Sequence, residues 1–523
     1  MKSLHSFCLT LALAGAAGIS THASQLSEAF NGGAPAANPD VLGTAYPNLP
    51  APRTLLQPLV VGTDPLENPS GVITHFGFLS DSAAGLTSGT KTEADENTYL
   101  KLDFNPGGPT AGYDYGRHFL FQGHENGGGL AYVTRINLDV TDPAHRITLL
   151  TPVAADGKTH YTRIDGSSYN PHTKTLLFTQ ENGSAGGAFE VSLTWPPVQR
   201  DLYGILGQGG YEGVHTDDRG NIYICEDAGG TRVKVDPANP ASPKAAANPN
   251  SFVYRFVPND IHDLGKGGKL QSLQVSIGGT PVTFVPVDAT HPTGDVFSDN
   301  QLALHTVGTS HPVKWVTVHD TSVDGFAPFD ANKAAKLAGA TPFKRPENGV
   351  FAPGSKFRTF VFCPTGDTDM NSGNVPALAA RGAWGSIFRV DLTDDRETGS
   401  ISIVYLGDSI HNSFDNVQFG SKNILLATED RGDGLHAQLA TLDSIWAFDF
   451  KKPSTPPVRL VGLGRDAAAA ASEDNEPTGI QFTGGDASLE ALLGTEESLD
   501  DARWFFTQQH GFNTVFEILF LED

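Results

Sequence analysis

Short apolar strands, not long amphipathic helices, dominate the hydrophobic pattern of this chain. One unit recurs. An acid beside Gly or Asn opens an apolar strand, a turn of Gly, Asn, Asp or Lys follows, and a strongly apolar strand returns, often ending in Glu. The clearest copy runs Glu212-Gly213-Val214-His215, turns on Asp217-Asp218-Arg219-Gly220-Asn221 and returns through Ile222 to Cys225 into Glu226-Asp227. Another reads Asp415-Asn416-Val417-Gln418-Phe419, then Ile424 to Thr428 and Glu429-Asp430; a third leads from Asp165-Gly166 to Leu176-Leu177-Phe178-Thr179-Gln180-Glu181. Weaker copies are the returning strand Phe119 to Glu125, the pair Glu347-Asn348-Gly349 with Phe360 to Phe362, and the pair Glu476-Pro477-Thr478-Gly479 with Trp504 to His510. A further strand follows each pair, at Tyr132 to Leu138, Phe189 to Leu193, Val253 to Val257, Ser386 to Leu392, Ile445 to Phe450 and Thr514 to Phe520. About six units of three or four strands predict an all-β fold, a roughly six-bladed β-propeller.

Between the units lie loop insertions. Pro237 to Asn250 reads as a loop, and Arg465 to Asn475 as an Ala-rich loop or helix turn. A longer insertion, from about 278 to 345, is expected to hold a strand pair and a short helix at Ala331 to Leu337. Residues 24–112 show few strong strands and are expected to pack on the propeller of 113–523 or to close one of its blades. At the start, Lys2, the apolar run Phe7 to Ile19 and the small residues before Ser24 predict a secretory signal peptide over 1–23, without twin arginines. The protein is therefore expected in the periplasm or outside the cell. No later stretch approaches the roughly 20 apolar residues of a membrane helix, so no membrane span is expected.

Composition fits this reading: 58 Gly, 34 Pro and 18 % charged residues suit strands joined by tight turns. Of the three Cys, Cys8 falls in the signal, and Cys225 and Cys363 sit in apolar runs that predict buried thiols rather than a disulfide. The net charge of −24 argues against nucleic acid and anionic membranes as partners. A monomer is expected. No GxSxG elbow, HExxH helix or Walker loop is present, which leaves serine-hydrolase, zincin and nucleotide-binding readings with little support.

In a propeller blade the innermost strand lines the channel and its neighbour runs antiparallel beside it, so the start of the first and the end of the second share a rim. The repeat places acids at both points. Glu125, Asp165, Glu181, Glu212, Glu226, Glu347, Asp415, Glu429 and Glu476 are therefore expected to converge on one channel mouth. Unit charges ~4 Å apart repel by about 4 kcal/mol at an intermediate dielectric, so their pKa values rise or cations neutralise them. Taken singly, each acid equally suits a strand-end cap or an arginine pair. The set together points to bound Ca²⁺, Mg²⁺ or Mn²⁺, and hard carboxylates also accept ferric iron. His124 and His510 fall beside the ends of returning strands, where a structural role, ligation and acid–base work all remain open; His215 is expected to be packed. Asp217 to Asn221 lacks the distal Glu of a calcium loop and reads as turn chemistry.

Across roughly residues 55 to 520 the chain resembles the PhoX-type alkaline phosphatases. The matching places are His124-Glu125, Gly166 through Glu181, Arg345-Pro346-Glu347, Phe414-Asp415-Asn416 through Glu429, and Glu476-Pro477-Thr478-Gly479-Ile480 with Gln509-His510-Gly511. The resemblance implies a six-bladed propeller carrying calcium and iron and hydrolysing phosphate monoesters of small molecules. It further implies that Glu125, Glu181 and Glu347 are metal ligands, that Asp415, Glu429 and Glu476 complete a calcium shell, and that Arg345 holds the substrate phosphate, with His510 the other catalytic candidate. Two departures stand out. Asp165 occupies the place of the family's cysteine ligand to iron, and the export signal is of the general secretory type. Both favour an all-oxygen site with several Ca²⁺ and make iron doubtful. A phosphodiesterase or phytase-like activity, or a non-catalytic calcium-stabilised binding propeller, are the alternative readings.

Overall fold

The apolar runs of the sequence are the second strands of fan-shaped sheets, buried on both faces because each sheet is sandwiched between two others. Successive side chains of a strand point to opposite faces. Ile222 and Ile224 thus pack with Leu177 and Ala188 of the preceding sheet, while Tyr223 and Cys225 pack with Phe360, Phe362 and Phe388 of the following one. The same division places Leu176 and Phe178 against Phe119 and Phe121, and Leu120 against Phe505 and Val515. The core therefore lies between sheets, and each buried Phe or Leu contributes about 1.5–3 kcal/mol to holding neighbours together.

The structure, a computed structural model, describes residues 32–41, 47–68, 71, 73–77, 93–127, 129, 131–151, 159–421, 423–466, 476–483 and 503–521. The expected signal peptide and most of the segment from Arg465 to Asn475 lie outside them. The fold is nearly all β, in a propeller-like arrangement of antiparallel sheets. The inner strands Glu93–Lys101, Ile164–Asn170, Tyr211–Thr216, Pro346–Phe351, Phe414–Ser421 and Pro477–Phe482 contact one another in that order, and the last returns to the first. Each pairs with its returning strand: His118–Glu125, Thr175–Gln180, Ile222–Glu226, Thr359–Pro364, Ile424–Glu429 and Trp504–Gln508. The third strands lie within a residue or two of the places expected, Ser386–Leu392 and Thr514–Phe520 among them.

Three features differ from the sequence reading. The strand Glu93–Lys101 lies before residue 113 and is the inner strand of the first sheet, so the propeller begins earlier than the polar surroundings of Glu93 to Asn97 suggested. The expected loop from Pro237 to Asn250 contains the strand Lys244–Ala247, paired with Arg232–Lys234. Within the long insertion, one strand, Ser310–Asp320, pairs with Gly268–Ile277 on one side and Thr398–Leu406 on the other, fusing two fans at their outer edges into a ten-stranded sheet. That strand covers two edges that would otherwise be open to aggregation. The helix of the insertion forms as Ala331–Ala338, started by the Asp330 side chain accepting from Lys333 N at 2.8 Å and stopped by left-handed Gly339. From the N-terminal segment, Thr54–Val60 becomes the outer strand of the last sheet beside Thr514–Phe520, and Leu49–Pro50 pairs with Val458–Gly462 of the sheet before it. Cys225 and Cys363 are buried free thiols.

Where inner strands approach closely, glycine is obligatory: a Cβ on Gly166 would collide with the carbonyl oxygen of Glu212 in the next sheet. Gly166→Ala is expected to destabilise the protein by about 2–3 kcal/mol, whereas Gly127→Ala, with open space around it, should shift stability by less than about 0.5 kcal/mol. Urea unfolding of the two variants checks this; equal effects would contradict the close inner packing.

Candidate metal centre and active site

The inner strands share one irregularity. Near its start each opposes its returning strand with two residues against one, a β-bulge. Register runs from Ala94↔His124 to Asn97↔Gln122, from Ile164↔Gln180 to Ser167↔Phe178, from Tyr211↔Glu226 to Val214↔Ile224, from Pro346↔Pro364 to Gly349↔Phe362, and from Phe414↔Glu429 to Val417↔Ala427. In the last sheet the shift falls between Thr478 and Gln481, one residue later. The first bulged residue is Asp95, Asp165, Glu212, Glu347 and Asp415 in turn, all buried; Thr478 occupies the place nearest to it in the last sheet. Next come Glu96, Gly166, Gly213, Asn348, Asn416 and Gly479, and here Asn348 Nδ2 donates to Glu96 Oε1 at 2.7 Å across the channel, while Gly479 N donates to Asn416 Oδ1 of the neighbouring inner strand.

Above the bulged acids stand residues one step past each returning strand: Glu125 closes the first, and Glu181, Asp227, Thr365, Asp430 and Gln509 hold the equivalent places. Their amides donate across the ladder, Glu181 to Arg163 O, Asp227 to Gly210 O, Thr365 to Arg345 O, Asp430 to Ser413 O and Gln509 to Glu476 O. Rim and bulge together make three linked clusters whose ligand oxygens all lie within 4.8 Å of one another: Asp95, Glu125 and Asp165; Asp165, Glu181 and Glu212; Glu212, Asp227 and Glu347. Asp415, Glu476 and Asp430 continue the same field on the other side, where Glu476 and Asp430 raise the pKa of Asp415 and Asp430 raises that of Glu476.

Of the nine acids singled out by the sequence, the structure brings Glu125, Asp165, Glu181, Glu212 and Glu347 into these clusters, with Asp415 and Glu476 alongside. Glu226 and Glu429 are not brought there. Each lies one residue before the rim position, and side chains alternate along a strand, so both point into the packing between sheets. Glu226 Oε2 accepts from Tyr254 OH at 2.9 Å, Asn332 Nδ2 at 3.0 Å and Phe252 N at 3.1 Å. Glu429 Oε1 accepts from Arg431 Nη2 at 2.6 Å and Asn412 N at 3.1 Å. Their neighbours Asp227 and Asp430 face the rim instead, and strict period-two counting could have chosen them. Asp95 escapes the pattern because the acid–Asn pair there is Glu96-Asn97, one residue out of register with the other openings, in a segment poor in strand signals.

Arg345 has left-handed backbone (φ 58°), and its side chain reaches Asp227 Oδ2 through Nε at 2.8 Å and Glu347 Oε1 through Nη2 at 3.4 Å. Burial opposes its charge, but Asp227, Glu347 and Asp430 together push its pKa up. His510, also left-handed (φ 62°), lies between Glu93 Oε1 at 3.2 Å and Glu476 Oε2 at 3.6 Å. His124 is a core residue: stacked on Tyr132 and bonded to Thr134 Oγ1 at 2.9 Å, it is held neutral by burial, its pKa pushed down to about 3. Burial likewise lowers His215, to about 4.

The carboxylates are strained electrostatically. Burial first, then the neighbouring Glu93, pushes Glu125 up to about 7; burial and Asp227 push Glu347 to about 7; burial, Glu125, Asp227 and Glu347 push Glu181 to about 9. Asp95, Asp165, Glu212 and Asp415 are also raised, burial leading and adjacent acids following. Asp227 Oδ1 is buried without a hydrogen-bond partner among the described residues. Such a donor set fits hard cations: every ligand atom is a carboxylate oxygen, the anions outnumber the nearby arginines, and both thiols face the packing between sheets.

The sequence model of a family described as alkaline phosphatase PhoX matches residues 233–434. Among solved structures, Pseudomonas fluorescens PhoX in complex with vanadate, a transition state analogue, superimposes with a TM-score of 0.53 at 14 % identity, covering 93 % of this chain and 97 % of that one. A nidogen/laminin complex aligns with a TM-score of 0.32 at 9 % identity, covering 71 % of this chain and 83 % of that one, too weak a likeness to carry weight. No curated protein sequence matches. The family match and the fold likeness support the PhoX-type resemblance read from the sequence.

These pKa shifts have a measurable consequence. Glutamates of the unfolded chain lose their protons near the ordinary value of 4.5, whereas Glu125 and Glu347 keep theirs to about 7 and Glu181 to about 9. Between those limits the folded state binds more protons, so stability falls as pH rises. In chelator the unfolding midpoint should drop steadily from about pH 5 to about pH 9, and saturating Ca²⁺ should flatten the profile and raise stability by about 3 kcal/mol at a hundredfold excess over Kd. A chelator-insensitive profile would contradict the cluster as a cation site.

Proposed function

We infer that this PhoX-like protein is an exported, calcium-dependent phosphatase that hydrolyses phosphate monoesters at the acid-lined channel mouth. The observation that carries the reading is the placement of five carboxylates on equivalent bulges around one opening, with Arg345 beside them. Asp95, Glu125 and Asp165, then Asp165, Glu181 and Glu212, then Glu212, Asp227 and Glu347 would hold the cations, and Asp415, Asp430 and Glu476 suit a further one. When bound, divalent cations neutralise the phosphoryl oxygens and lower the barrier to displacement at phosphorus.

The chain's own residues supply the rest. Arg345, braced by Asp227 and Glu347, keeps guanidinium donors for the phosphate oxygens, where its planar fork suits two acceptors at once. His510, braced by Glu93 and Glu476, would hand a proton to the leaving alcohol oxygen as its P–O bond breaks and the oxygen of an attacking water, its proton passing to a neighbouring carboxylate, bonds to phosphorus. Asp165 makes the donor set all-oxygen, which supports calcium over iron. The apolar stretch Phe7 to Ile19 supports export, and among the described residues no helix is long and apolar enough to cross a membrane.

Purified mature protein should release p-nitrophenol from p-nitrophenyl phosphate with Ca²⁺, lose that activity in chelator and regain it on Ca²⁺ addition. Arg345→Ala should lower kcat/KM about 100-fold or more, and elemental analysis should find calcium without iron. Absence of calcium-dependent turnover from about pH 5 to about pH 10 would overturn the reading.

A further inference from the structure

Two arginines stand at the same structural position in different sheets. Arg163 immediately precedes the inner strand Ile164–Asn170, as Arg345 precedes Pro346–Phe351. Each accepts, through its carbonyl, the amide of the rim residue opposite, Glu181 at 3.0 Å and Thr365 at 2.9 Å. Both have left-handed backbone, φ 48° for Arg163 and 58° for Arg345, a conformation that disfavours non-glycine residues by about 1–2 kcal/mol. Their surroundings differ. The Arg345 side chain is 23 % exposed and engaged by Asp227 at 2.8 Å and Glu347 at 3.4 Å, whereas that of Arg163 is 54 % exposed, with Glu181 Oε2 at 3.6 Å as its ion-pair contact among the described residues.

The charge of Arg163 is felt by Glu125 and Glu181, that of Arg345 by Glu347 and Asp430. Arg163 thus stands at the cluster of Asp165, Glu181 and Glu212, and Arg345 at the adjoining cluster of Glu212, Asp227 and Glu347. Within a chain of net charge −24, the exposed guanidinium of Arg163 offers a positive charge and N–H donors to an anion at the mouth. We propose that Arg163 is a specificity-determining residue that binds a second anionic group of the substrate, so that the site prefers phosphate esters bearing a further phosphate or carboxylate to esters of uncharged alcohols. This rests on the phosphatase reading. With the reacting phosphoryl group held by Arg345 at its cluster, the open fork of Arg163 offers paired N–H donors to a second anion at the adjoining one, which an uncharged alcohol leaves unused.

The test compares kcat/KM of the calcium-loaded wild type, Arg163→Gln and Arg163→Lys on β-glycerol phosphate, fructose 1,6-bisphosphate and 3-phosphoglycerate. Arg163→Gln should lower kcat/KM for a doubly anionic substrate by about ten-fold more than for glycerol phosphate, chiefly through KM, and Arg163→Lys should restore part of the difference. Selective loss on the bisphosphate alone identifies phosphate as the second group, and on phosphoglycerate alone carboxylate. An equal loss on all three, as expected if Arg163 only braces Glu181, overturns the inference while leaving the phosphatase reading intact. A wild type that hydrolyses none of the three overturns the phosphatase reading and the inference with it.

Discussion

Like charges forced together by backbone geometry set the character of the upper channel. At each bulge the inner strand places two residues where its partner places one, and the first of the two is an acid in five sheets. Bulges re-aim side chains, and here they aim them at a common opening. Fixed by the ladder, the carboxylates cannot separate to relieve repulsion, so they hold protons well above their usual range or take cations in their place. The second bulged residue then decides how closely the sheets approach: Gly166 and Gly213 let neighbouring backbone in, while Glu96 and Asn348 bridge across.

Much of this was legible in the residues. Apolar runs such as Ile222 to Cys225 and Ile424 to Thr428 signalled sheets buried on both faces, and the acid-plus-Gly/Asn openings marked the bulges without revealing that they were bulges. What escaped the sequence follows from orientation. Glu226-Asp227 and Glu429-Asp430 are adjacent acids on opposite faces, and strict alternation along the returning strand turns the second of each pair to the channel. Asp95 and Glu93 are hard to find because the bulge of the first sheet sits in a polar stretch, where no apolar run announces a strand. Arg163 gives no signal, since its part depends on a backbone conformation shared with Arg345 and on which carboxylates lie beneath it.

The position opposite two of the bulges adds a quieter device. Thr179 Oγ1 donates to Glu212 O at 2.6 Å and Cys363 Sγ donates to Asp415 O at 2.6 Å, in each case to the bulged residue of the next sheet. A small hydroxyl or thiol thus ties the returning strand of one sheet to the acid-bearing turn of its neighbour. Cys363 lies between Asp415 O and Asn348 O, with burial holding its thiol protonated.

Closure of the ring also orders events in time. Thr54–Val60 completes the last sheet beside Thr514–Phe520, and Asn48 Nδ2 donates to Gln508 Oε1 across 460 positions of sequence. Contacts so distant form late and at high entropic cost. Glu476 and His510 belong to that last sheet, so a chain still emerging from a ribosome lacks one wall of the mouth however well its earlier sheets have formed. The ring of inner strands around the acids closes only when Pro477–Phe482 packs on Glu93–Lys101.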